Sequence, residues 1–111
     1  MTPGRPPAWA VLEQALRHKH PVHMRYRGNE RLVCPHALGW KDGRAKALVY
    51  QTGGTTGEGE LPADPRQRWR SLFVDEVEQA TISMGAWGTA ENYTPISNGI
   101  AQLDLYVDPD P

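Results

Sequence analysis

The chain has little cysteine, little phenylalanine and no long apolar run: one Cys, one Phe, and nothing near the roughly 18 consecutive apolar residues of a membrane-spanning helix. A lone Cys34 excludes an internal disulfide, and with it the stapled frameworks of small secreted domains. The opening "MTPGRPPAWAVL" lacks the apolar core of a secretory signal, so a soluble, cytoplasmic protein with no membrane partner is expected. Several catalytic signatures are also missing. There is no G-x-S-x-G elbow, no G-x-x-x-x-G-K-[ST] loop, no G-x-G-x-x-G after a strand, and no C-x-x-C or H-E-x-x-H pair.

What is present suits one globular domain of many short elements. In 111 residues there are 11 Gly and 10 Pro, well above the average for the two together, alongside 39% hydrophobic and 23% charged residues. Charge is nearly balanced at −1, yet unevenly placed. Residues 1–50 carry nine Lys/Arg against three Asp/Glu, and residues 51–111 three against ten. Either the halves neutralise each other across the fold, or part of the basic half forms a surface that attracts phosphates.

Along the chain, "PPAWAVLEQALRHKH" predicts a helix over 7–19, with Pro7 in its first turn and Trp9, Leu12 and Leu16 as a stripe packed over a sheet. In "VHMRYR", Val22, Met24 and Tyr26 alternate with His23, Arg25 and Arg27, which predicts a strand. "RGNE" reads as a type II′ turn centred on Gly28-Asn29, placing Tyr26 opposite Arg31, Met24 opposite Val33 and His23 opposite Cys34. "HALGW" and "RAKALVYQ" are strands joined at "KDG", residues 52–65 a Gly/Thr/Pro loop, "RQRWRSLFVDEV" an extended segment and "EQATIS" a last short strand. The expected fold is mainly β, a small SH3-like barrel of about five strands over 21–83 with one N-terminal helix packed on it, forming one domain over 1–84. Residues 85–111 then form a partly flexible extension, with "QLDLYV" an edge or partner-binding strand and "DPDP" frayed.

Three sets of residues could carry chemistry. That register brings His23, Cys34 and His36 together as zinc-type ligands, but Arg25 and Arg27 on the same face oppose a dication, so no metal or other cofactor is expected. Cys34 and His36, two apart on a strand, could form a thiolate–imidazolium pair in an exposed electropositive pocket. The stronger set is Arg25, Arg27, Arg31, Lys46, Arg66, Arg68 and Arg70 interleaved with Tyr26, Tyr50 and Trp69. Guanidinium forks bind phosphates and aromatic faces stack bases, which points to single-stranded nucleic acid or a nucleotide. The opposing reading places Tyr26 and Trp69 in the core, with Arg31 stacked on Tyr26 and the other arginines solvated.

From Pro21 to about Ile82 the chain resembles a WYL domain, the SH3-like or Sm-like barrel of bacterial and phage transcription regulators. Tyr26 stands at the family's first-strand Tyr, and "RLVCP" supplies Arg31 and Pro35. "ALVYQ" follows as the strand after the name motif, and Arg70, Leu72, Asp75 and Val77 fall on the R-x-F-x-x-D-x-I ending. Ala45-Lys46-Ala47 stands where the family has Trp-Tyr-Leu, which implies an altered ligand. About twenty residues precede the barrel, so the resemblance implies a stand-alone module working beside a separate transcription regulator. The expectation is therefore a non-catalytic regulatory module that binds an anionic effector through Arg25, Tyr26, Arg31, Lys46, Arg68 and Arg70, with the Gly-rich loop bordering the site. The alternatives are a dimerisation module using a barrel edge or the C-terminal strand, and a metal or thiol site at Cys34 and His36.

Overall fold

A computed structural model describes residues 4–57, 59–94 and 100–108. Helix α1 (Pro7–His18) is followed by strands β1 (Val22–Tyr26), β2 (Asn29–Lys41), β3 (Arg44–Thr56), β4 (Gly59–Glu60), β5 (Trp69–Phe73), β6 (Val77–Ile82) and β7 (Gln102–Tyr106). All pairings are antiparallel, and β2 and β3 form the long central hairpin. β1 and β7 flank β2, β5 and β4 flank β3, and β6 pairs with β1. β5 and β6 stand at opposite ends of this order, yet only a 3-10 turn (Val74–Glu76) joins them. The sheet must therefore curl, and it forms a half-barrel with one N-terminal helix, which matches the expected mainly β fold of a small barrel with one helix. The Phe73 N–H donates to Tyr26 Oη at 3.0 Å, tying β5 to β1 across the curl.

α1 closes the inner face. Trp9, Leu12, Ala15 and Leu16 are buried there against Val22, Met24, Val33, Leu38, Val49 and Leu72, each large apolar side chain contributing about 1.5–3 kcal/mol. Pro7 occupies the first helical turn, where its missing N–H has no intrahelical partner to lose. Lys19, at φ 56°, ends the helix in the left-handed conformation. No helix among the described residues is long and apolar enough to cross a membrane.

Three expectations about local structure change. The first turn is centred on Arg27-Gly28, at φ 51° and 79°, so it carries the type I′ signature rather than II′. Tyr26 accordingly faces Asn29, Met24 faces Arg31, and His23 faces Leu32. The shift is two residues, so each side chain keeps its face. The second turn, Asp42-Gly43, repeats the pattern at 53° and 79°. Part of the expected 52–65 loop is strand, since β3 runs on to Thr56 and turns into β4.

The expected boundary after residue 84 is not a break in packing. "QLDLY" is β7, an edge strand paired with β2 of the same chain. Gly39 permits that pairing, because a Cβ there would collide with the Gln102 carbonyl and the Ile100 side chain. The frayed end expected of "DPDP" falls largely on residues 109–111, outside the described residues.

Candidate functional site

The inner face of the half-barrel is apolar except at one end. Arg31 lies opposite Met24, and Arg70 opposite Val49, so both arginines point to the side that carries the core. With Tyr26 they line an open cleft of about 580 Å3 whose walls also include Asn29, Gly57, Gln67 and Phe73. None of the described residues lining it is an acid.

Arg31 is only 7% exposed. Its guanidinium sits 5.1 Å from the centre of the Tyr26 ring, and its buried Nε has no hydrogen-bond partner among the described residues. Burial is the main force lowering its pKa, and the nearby charge of Arg70 adds to it. Arg70 is held by neighbouring backbone, one terminal nitrogen donating to the carbonyls of Gln67, in the turn before β5, and of Trp69, both at 2.9 Å. Two guanidinium groups are thus fixed at the mouth of a largely apolar interior, and the lining described there holds no carboxylate to neutralise them.

Of the six expected site residues, the cleft gathers Tyr26, Arg31 and Arg70. Arg25 points outward and pairs with Glu30 at 3.0 Å. Arg68 donates to the Pro62 carbonyl at 2.7 Å. Lys46 alternates away from Ala45 and Ala47 of the core and lies 4.1 Å from the centre of the Phe73 ring, its pKa lowered mainly by burial. Arg27 borders the cleft but is held by Glu76 at 2.8 Å, and Arg44 by Asp75 and Glu76 at 2.7 and 3.0 Å. The basic first half and acidic second half of the chain therefore do neutralise each other at this corner. Hydrogen bonds from Arg27 and then Arg44 hold the Glu76 carboxyl down at about 2, so these pairs persist through the physiological range.

Of the three aromatics expected to stack bases, Tyr26 alone lines the cleft, while Tyr50 and Trp69 lie elsewhere. Tyr26 is in the core, with the Arg27 guanidinium 5.2 Å from its ring centre as well as that of Arg31. Tyr50 and Trp69 belong to a second cluster on the outer face, built around His36. There Trp87 stacks on the imidazole with ring centres 4.7 Å apart, while Trp69 and Tyr93 meet it edge-on at 4.7 and 5.0 Å. Trp87 and Tyr93 were hidden in the weakly patterned segment after Met84. Trp69 Nε1 donates to Asn92 at 2.8 Å, and Tyr93 Oη to the Val107 carbonyl at 2.7 Å, which fastens that segment down.

This cluster accounts for Cys34 and His36 as packing residues. A carbonyl oxygen can only accept, so the 2.7 Å contact between His36 Nδ1 and the Cys34 carbonyl places the proton on Nδ1. Nε2 then accepts from the Thr89 hydroxyl at 3.0 Å. Cys34 is fully buried, its Sγ accepts the Gly88 N–H at 3.2 Å, and burial pushes its thiol pKa up, opposite to what a nucleophile requires. His23 is exposed and faces Leu32, so the three-ligand convergence does not form. Among the described residues no group of three His, Cys, Asp or Glu is placed to hold a metal ion.

Burial also pushes His36 down to about 4 from 6.5. The fold favours the neutral ring while the unfolded chain protonates near the ordinary value. The stability this neutral ring confers is complete above about pH 6.5 and drains away as pH falls toward 4, at most about 3 kcal/mol. The His36 ring resonances are therefore expected to stay in the neutral position from pH 8 down to 5, while the urea midpoint falls between pH 6.5 and 4. A midpoint near 6.5 for that ring would contradict the cluster. No family model, curated protein or solved structure matches this chain.

Proposed function

We propose that the chain is a non-catalytic regulatory module that binds a phosphate-bearing effector, single-stranded nucleic acid or a nucleotide, in the cleft of Tyr26, Arg31 and Arg70. The observation that carries this reading is Arg31. An arginine 7% exposed, with a buried, orphaned Nε and no acid among the described lining residues, is a standing cost to the fold that a bound anion removes. The resemblance to WYL domains supports the same reading, since Tyr26, Arg31 and Arg70 all lie on the motif positions that the resemblance uses. A cytoplasmic setting beside a separate transcription regulator belongs to this proposal.

Salt dependence tests it with a magnitude. Two available guanidinium groups predict a slope of log affinity against log salt of about −1.4 for a single strand, whereas all seven basic residues of the original set predict about −5. Anisotropy titrations of a short single-stranded oligonucleotide at several salt concentrations should give the shallow slope for the native protein, with binding lost in Arg31→Met. Native affinity in that variant would refute the reading.

A further inference from the structure

The charge and ring inventory of the cleft narrows the ligand further. Resting on the reading of this cleft as an anion site, we propose that it takes a terminal phosphoryl group end-on, at the end of a strand or on a nucleoside, and contributes no base stacking. Three observations converge on this. First, of the three arginines lining the cleft, Arg27 is paired with Glu76 while Arg31 and Arg70 meet no described acid, and the described lining holds no carboxylate. A terminal phosphate carries about −1.5 to −2 at pH 7 and matches them, whereas an internal phosphodiester carries about −1. Second, the orphaned Nε of Arg31 is buried, so an acceptor must enter at the tip of its ligand. An internal phosphodiester continues as chain on both sides and does not present a tip. Third, no aromatic described in the lining offers a clear face to a base. Tyr26 carries the Arg27 and Arg31 guanidinium groups, Phe73 lies beneath Arg44 at 3.7 Å and Lys46 at 4.1 Å, and Tyr50 and Trp69 face the other side of the sheet.

The test compares one single-stranded oligonucleotide bearing a 5′-phosphate, a 3′-phosphate or no terminal phosphate, with a nucleoside monophosphate and inorganic phosphate as competitors, on the full chain and on Arg31→Met. A phosphorylated end is expected to tighten binding by about tenfold to a hundredfold, the scale of a charge-assisted hydrogen bond. Arg31→Met should erase that difference. Whichever competitor displaces the phosphorylated strand better identifies the source of the phosphoryl group. Equal affinity with and without a terminal phosphate, still lost in Arg31→Met, overturns this inference and leaves the anion site standing. Absence of all binding, or native binding by Arg31→Met, overturns both. Circular dichroism on the variant separates loss of binding from loss of fold.

Discussion

Arg31→Met is expected to bind no anionic ligand and yet to unfold at higher urea concentration than the native protein, by about 1–2 kcal/mol. Methionine keeps the apolar stem and the contact with Tyr26 while deleting the charge of a residue that is 7% exposed and orphaned at Nε. Losing the stack on Tyr26 costs about 2 kcal/mol, and a sulfur–aromatic contact restores part of it. Removing an uncompensated buried charge gains several kcal/mol even after relaxation, so the gain wins. The opposite sign, a variant less stable by a similar amount, would mean that Arg31 is a structural group.

Trp87→Ala is expected to destabilise the whole fold by about 2–4 kcal/mol in one cooperative transition, although the residue lies in what reads as an appended tail. Its ring stacks on His36 at 4.7 Å, and the N–H of the next residue, Gly88, bonds Cys34. Removing the ring opens His36 to water, so its pKa should climb toward 6.5 and the acid sensitivity between pH 6.5 and 4 should diminish. Oligonucleotide affinity should be unchanged while the protein is folded, because the cleft lies on the other face of the sheet. A separate low-stability transition that leaves the barrel untouched would restore the boundary after residue 84.

These two residues also mark what could be read in the sequence. The alternation of Val22, Met24 and Tyr26 determined which face is inside, and a two-residue slip of the hairpin left it intact. The slip arose because Arg27 adopts a left-handed φ, which glycine or asparagine signals and arginine does not. Of the six expected site residues, Tyr26, Arg31 and Arg70 meet in the cleft and the other three do not. Alternation does not say which arginines meet acids, and Arg27, Arg44, Glu76 and Asp75 come together only when β5 and β6 curl back to β1. Arg31 and Arg70 stand inside the mouth of the half-barrel rather than along an outer wall. The outer aromatic layer was illegible because Trp87 and Tyr93 dock through loop geometry, without a periodic pattern to announce them.

The most direct measurement is the side-chain Nε–H resonance of Arg31, followed by nitrogen-edited NMR while a 5′-phosphorylated single strand is added. This signal, assigned by its loss in Arg31→Met, is expected to move strongly and to saturate together with the binding isotherm. A strand that saturates the protein while that resonance stays in place would show that recognition happens elsewhere.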